Sequence, residues 1–379
     1  MIIVYKIYEN WRVRRRFRSG DNASLLGSTH SKLTLQESLG YIDAQFNDYL
    51  AYSGLTEANL RGKRTLEIGF GDNVGVALKF LAAGAAQVVC LDKFYARRNA
   101  QQQSEIYKNL RATLTDPQRD RFDQAIDLSD GIRCNPERLR CIYGADADEL
   151  EDLFSRESFD LIISRAVMQD ILEPEGAFEA MDAMLVPGGL MLHKIDLSDQ
   201  GMFRDNGMHP LTFLTIPDSI YRLMASHSGL SNRKLSGYYR GELARLGYEA
   251  TCFPTSLIGH PGSGDQFYLC ESVDLETRSA QVALAQISAI RPRLAPEFSE
   301  LSDEELMIDG IFIAARKPSG SGRSNLQWRE KAKASSEVVE LGAIGLKHVG
   351  ENRRGRSGRG GAADESCQSD QQLCVSNQE

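Results

Sequence analysis

The chain has little that could staple or anchor it. Its 379 residues include seven cysteines, at 90, 134, 141, 252, 270, 367 and 374, an odd count with no Cys-x-x-Cys pair. That pattern argues against a disulfide framework or a zinc site, and makes a reducing compartment the default. No apolar run approaches the roughly 18–20 residues of a membrane span. The opening stretch, Met1 to Tyr8, has too few apolar residues for a signal peptide, and its charges follow the apolar residues instead of preceding them. Excess positive charge is also missing. Lys and Arg number 44 against 52 Asp and Glu, a net charge of −8, which argues against a protein that coats nucleic acid over its whole surface. Internal repeats are absent. With 42% hydrophobic and 25% charged residues, the expectation is a cytoplasmic protein with a sizeable core.

What is present centres on Arg64-Thr-Leu-Glu-Ile-Gly-Phe-Gly-Asp-Asn-Val-Gly75. A short apolar run ends at Ile68. Glycines follow at 69, 71 and 75, and helical spacing begins near Val74. Strand, glycine turn and helix are predicted in that order. Glycine allows positive φ and a close ligand, and the helix start offers free N–H groups to it.

Further strands are predicted at Gln87–Asp92, Leu139–Tyr143, Phe159–Ser164, Leu190–Ile195, Tyr248–Phe253 and Gly310–Ala315, with helical patterns between most of them. Near-continuous apolar strands alternating with helices predict an α/β fold with a doubly wound, mostly parallel, seven-stranded sheet covered on both faces. Residues 1–59 read as a basic arm and helical extension, 60–317 as the main domain, and 318–379 as a disordered tail rich in Arg, Gly and Ser. Residues 197–238 break the alternation and read as an insertion after strand five, on the ligand-binding edge. Thr34 to Glu37 has capping-box spacing, and a helix over 34–50 is predicted beyond it. In the arm, five arginines interleave with Trp11, Val13 and Phe17. The plain expectation is a helix that packs Trp11 on the body; the alternative is peripheral contact with an anionic surface.

Three acids sit where chemistry is expected. Glu67 precedes the glycine turn, Asp92 ends strand two, and Asp146 follows strand three. All would lie along one sheet edge, with Asp92 placed for ribose hydroxyls. This set resembles the class I S-adenosylmethionine-dependent methyltransferases. Glu67 to Gly75 looks like the family's first motif, Cys90-Leu-Asp92 like its ribose motif, and Gly144-Ala-Asp146 like its adenine motif. Residues 159–171 and 185–190 are similar to the fourth-strand segment and the turn before strand five. The resemblance covers about residues 60–255, plus the last strand near 310–316. It implies a Rossmann-like fold and S-adenosyl-L-methionine as cofactor. It also implies cofactor contacts from Glu67, Gly69, Gly71, Gly75, Asp92, Asp146, Ala147 and the Ser164 carbonyl.

The sequence departs from that family in two places. Strand four ends in Ser-Arg-Ala-Val, not Asn/Asp-Pro-Pro-Tyr, which argues against methylation of the exocyclic amines of DNA bases. Asp170 stands where relatives often carry His. An oxygen acceptor usually needs a base. His193 and Asp196, at the end of strand five, are the catalytic candidates. Alternation puts them on opposite faces if the strand continues to 196. His209 is a weaker candidate, and Tyr238, Tyr239 and Arg240 could line an acceptor pocket. The expected function is methyl transfer to a small molecule or glycan at oxygen. RNA methylation is the alternative, with nucleic acid disfavoured by the net charge. A nicotinamide-dependent oxidoreductase is the alternative from another class, disfavoured by the Gly-x-Gly-x-x-x-Gly spacing.

Overall fold

Seven strands form the body of the sheet: β1 (Arg64–Ile68), β2 (Gln87–Asp92), β3 (Leu139–Tyr143), β4 (Phe159–Arg165), β5 (Leu185–Asp196), β6 (Glu249–Leu257) and β7 (Ile308–Arg316). The computed structural model of the protein describes residues 1–19, 23–24, 29–259, 269–319 and 339–341. The spatial order is β3-β2-β1-β4-β5-β7-β6. Strands β1 to β5 run parallel to one another. Only β7 runs against both of its neighbours, β5 and β6. Because β1 has β2 on one side and β4 on the other, the strand order reverses there, and a crevice opens above the C-terminal ends. Of the expected tail 318–379, only 318–319 and 339–341 are described; Val339–Leu341 forms β8, antiparallel to β3 at the outer edge.

The helices used below are α1 (Ile2–Arg18), α2 (Leu35–Ser53), α3 (Gly75–Ala83), α4 (Ala100–Ala112), α5 (Asp116–Ala125), α6 (Pro174–Met184), α7 (Asp218–Ala225), α8 (Ser236–Arg245) and α9 (Arg278–Ile290). Strand alternation divides the interior into two cores. On one face Cys90, Ile163, Leu192 and Phe312 meet Phe46 of α2, Leu78 of α3 and Ile106 of α4. On the other, Leu66, Ile162, Met191 and Ile313 meet Met181 of α6, Tyr221 of α7, Leu243 of α8 and Ile287 of α9. Helix α2 starts at a complete capping box between Thr34 and Glu37 and ends at Gly54, whose φ is +68°.

Three local expectations change. The turn expected at Pro187-Gly-Gly189 lies inside β5, which begins at Leu185; its pairing with β4 slips between Phe159 and Leu161, so the extra residues form an irregularity instead of a break. The connection before β3 contains α5, begun by a Thr115/Gln118 capping box. In α1 the residue docked on the body is Asn10, not Trp11, which is 53% exposed.

Insertion 197–238 is itself packed. It contributes Phe213, Leu214, Tyr221 and Met224 to the second core. Buried Asp199 accepts N–H bonds from Gly201, Phe203 and Arg204, which shapes the chain just past β5.

Phe312 is fully buried between the rings of Tyr49 and Tyr52, at centroid distances of 5.9 and 4.3 Å. Phe312→Ala should therefore lower stability by about 3–5 kcal/mol in denaturant titration, as loss of a large core aromatic does.

Candidate active site

The site begins where β1 ends. Gly69 and Gly71 take φ values of +76° and +62° and turn the chain back into α3. The Gly69 N–H donates to the Leu91 carbonyl at 2.7 Å. The Gly71 N–H donates to Asp92 Oδ2 at 3.0 Å, and Asp92 Oδ1 accepts from the Phe94 N–H at 2.9 Å. Val167, just past β4, closes over the turn: a Cβ on Gly69 would stand 2.1 Å from Val167 Cγ2. The preceding Ala166 has φ +55°, a costly conformation for a residue with a side chain. Gly75 has a different task. A Cβ there would meet Ile42 Cδ1 at 2.4 Å, so its missing side chain lets α2 approach α3.

The three acids lie along the expected edge. Glu67 is 7% exposed, and the Cys90 thiol lies 3.6 Å from its Oε2. Burial pushes its carboxyl up to about 8. Burial also raises Asp92, opposed by its bonds from Phe94 and Gly71. Asp146 pairs with Lys93 and accepts from the Ala147 N–H at 2.9 Å. Ala147 is buried beneath it.

Sequence reasoning passed over several residues of this edge. Arg98 Nη2 donates to the Gly71 carbonyl at 2.6 Å, and its guanidinium lies over Phe70 and Tyr143 at 5.1 and 5.2 Å. Asp72 accepts from the N–H groups of His30 (3.3 Å) and Ser31 (3.0 Å), tying the N-terminal extension to the glycine turn. The Arg97-Arg98 pair and the acid inside the turn were the available signals.

On the acceptor side the candidates separate. Strand β5 does continue to Asp196, so His193 and Asp196 fall on opposite faces. His193 is fully buried, its Nδ1 2.8 Å from Ser164 Oγ and its ring against Phe178. Burial lowers it to about 3, so it stays neutral. A base at the mouth needs access to the acceptor, and this placement gives His193 none. Lys194 instead lies on the α2 side, bonded to Thr255 Oγ1, and burial together with nearby Arg165 lowers it to about 8. Arg165 holds Asp48 of α2 at 2.8 Å.

Asp196 sits partly buried at the strand end, and its Oδ1 accepts from the Ser198 N–H at 2.9 Å. Asp170 follows β4 and accepts from Gln200 Nε2 at 2.6 Å. The residue as a whole is exposed. Loss of hydration around the carboxyl pushes it up to about 7, opposed by the Gln200 bond and with Asp196 adding to the rise. Asn232 fixes this segment by donating to the carbonyls of Met168 and Ile171. His209 caps a turn through the Leu211 N–H and reaches the Gln286 carbonyl, a loop role. Tyr239 is buried core and Arg240 is exposed. Among the described residues no group of three or more His, Cys, Asp or Glu could hold a metal ion.

A doubly wound sheet with a glycine turn at its switch point, and acids after its first three strands, defines a Rossmann-like enzyme that binds an adenosine cofactor. A family model for the methyltransferase domain matches residues 41–246, more than half of the chain. The chain belongs to that family, within the class I S-adenosylmethionine-dependent methyltransferases. The nicotinamide alternative is thereby set aside.

No curated protein matches the chain. Among solved structures it is similar to Haemonchus contortus phosphoethanolamine N-methyltransferase 2, with 16% identity, 73% of this chain and 53% of that one covered, and a TM-score of 0.35. The chain thus spans about half of that protein's length. It is also similar to an S-adenosylmethionine-dependent methyltransferase from Mesorhizobium loti, with 17% identity, coverage of 73% and 100%, and a TM-score of 0.35. A third is the YcgJ protein of Bacillus subtilis, with 14% identity, coverage of 75% and 100%, and a TM-score of 0.36. At such scores these likenesses say nothing of the acceptor.

Glu67 keeps its proton in the fold at pH values where the unfolded chain has lost it, because its folded value is raised from 4.5 to about 8. Stability from this group is therefore full below about 4.5 and falls as pH rises toward 8. Glu67→Gln should flatten the decline of the melting temperature across that window; an unchanged decline would show that Glu67 does not cause it. Gly69→Ala should destabilise by about 1–3 kcal/mol. Adding Val167→Ala should recover only the steric part, read from a double-mutant cycle.

Proposed function

We propose that this chain methylates an oxygen of a small molecule or glycan, with Asp170 as the base that accepts the proton. The observation that carries this reading is the Asp170 carboxyl just past β4, held by Gln200 Nε2 at 2.6 Å and raised to about 7 by loss of hydration and by Asp196. A base of that strength is half ionised near neutral pH, where it can still take a proton from a hydroxyl.

The donor edge fits S-adenosylmethionine. Gly69 and Gly71 leave the turn bare of side chains, Asp92 keeps unused lone pairs for ribose hydroxyls, and Glu67 offers a carboxyl beside the turn. Asp146 and Ala147 would face the adenine, with Lys93 sharing Asp146. When bound, the cofactor supplies an activated methyl on a sulfonium, so the protein's main task is to position the acceptor. Lys194 adds positive charge next to the Arg165–Asp48 pair, which suits an acceptor carrying negative or strongly polar groups.

Asp170→Asn should lower turnover by about 100- to 10,000-fold. It should also erase the rise of activity through pH 7, while calorimetric affinity for S-adenosylmethionine stays close to that of the native chain. Asp196→Asn should move that rise to lower pH, because it removes the repulsion that helps raise Asp170. Normal turnover in Asp170→Asn would overturn the assignment.

A further inference from the structure

The surface outside the site is not evenly apolar. Among the described residues ten large apolar side chains are strongly exposed; four lie on α1, with Met1 just before it, and two on α7. Val4 (72%), Tyr5 (55%), Tyr8 (54%) and Trp11 (53%) recur at helical spacing on the outer face of α1. Leu223 of α7, 58% exposed, adjoins them through its carbonyl, which accepts from Asn10 Nδ2 at 2.9 Å.

The helix is held in this orientation. Ile3 and Ile7 pack inward against the core. Asn10 Nδ2 also donates to Ser226 Oγ at 2.9 Å, and Asn10 Oδ1 accepts from the His227 N–H at 2.7 Å. The outer face is thus presented by a fixed helix.

Charge completes the pattern. Arg12, Arg14, Arg15, Arg16 and Arg18 are all exposed along the second half of α1. Its one acid, Glu9, is paired with Lys6 at 2.8 Å. This basic stripe stands on a protein of net charge −8. Tyr and Trp partition to the boundary between lipid and water, and clustered Arg side chains meet anionic head groups there. On α1 the aromatic and aliphatic residues occupy the first half of the outer face and the arginines the second, with Arg15 over the Trp11 ring at 5.7 Å, so both kinds of side chain meet that boundary together. No described helix is long and apolar enough to cross. The aliphatic members Val4, Ile220 and Leu223 decide between bilayer and nucleic acid, since aliphatic surface has nothing to gain from stacked bases.

We propose that the outer face of α1, with Leu223 and Ile220 of α7, docks this protein on an anionic lipid bilayer surface. Docking would also bring the donor edge near the bilayer, because Phe17, at the end of α1, stacks on Phe94 past β2 with centroids 5.2 Å apart.

Trp11 is its own reporter. The chain has two tryptophans, and Trp328→Phe leaves Trp11 alone. Vesicles of phosphatidylcholine mixed with phosphatidylglycerol should shift Trp11 emission to the blue and sediment the protein. Pure phosphatidylcholine should do neither, and high salt should weaken the effect. Replacing Arg14, Arg15 and Arg16 together by Gln should weaken vesicle affinity by about tenfold or more. In the chain with both tryptophans, Tyr8→Ser with Trp11→Ser should weaken sedimentation to a similar degree. Both sets change outward-facing side chains, so melting temperatures should hold. Three results would overturn the proposal: no response to either vesicle; a response to single-stranded RNA with none to vesicles; or concentration-dependent dimerisation that buries Trp11 and leaves vesicles unbound.

Discussion

The reversal of the chain after β1 is the constraint on which the rest of the site depends. Its two left-handed glycines place four successive residues so that each holds a neighbouring segment. Gly71 donates to Asp92 and fixes the end of β2. Asp72 takes the N–H groups of His30 and Ser31 and holds the N-terminal extension. Asn73 bonds Gln103 of α4 at 2.6 Å, and its Oδ1 satisfies the first N–H of α3. The Val74 N–H donates to the Tyr107 hydroxyl, again on α4. The acid expected to hold a ribose is therefore oriented by the same turn that leaves room for the ligand. A side chain at Gly69 would disturb both functions at once.

Strand β5 separates structural from chemical polarity by alternation alone. His193 points into the core beside Phe178, its Nδ1 bonded to Ser164 Oγ and its buried Nε2 without a hydrogen-bond partner among the described residues. Lys194, its neighbour, points to the α2 side among Arg165, Asp48 and Thr255. A one-residue slip would exchange them and bury a lysine under α6. The pairing of β5 with β4 on one side and β7 on the other fixes that register.

The fold was legible because its signals are local and repeated. Apolar runs ending in an acid, a glycine turn and capping boxes each need only a few neighbouring residues to be read. Helix α5 escaped because its helical face holds only Phe122 and Ala125; its capping box was the signal. The donor acids were legible for the same reason as the strands: each sits at a strand end. The acceptor side was not. Whether His193 or Asp170 meets the acceptor depends on which face of the sheet is open, and on how the insertion closes the other. Asp199 and Asn232 decide that through bonds to backbone groups, and such bonds leave no periodic trace. Arg98 escaped because its partner is the carbonyl of Gly71, 27 residues earlier.

The N-terminal helix and the insertion, some two hundred residues apart in sequence, form one support. Asn10 binds the C-terminal end of α7. The Tyr221 hydroxyl, inside α7, donates to the Ser231 carbonyl at 2.7 Å. The next residue, Asn232, holds the carbonyls of Met168 and Ile171 on either side of Asp170. Every link is a buried or partly buried hydrogen bond between ordered elements, and the Arg233 guanidinium over the Tyr221 ring at 3.9 Å stiffens the middle. Fixed links of this kind hold the outer face of α1 at a constant distance from the acceptor segment. If α1 docks on a bilayer, the same links set where Asp170 stands above it, and the insertion is the part of the chain that carries them.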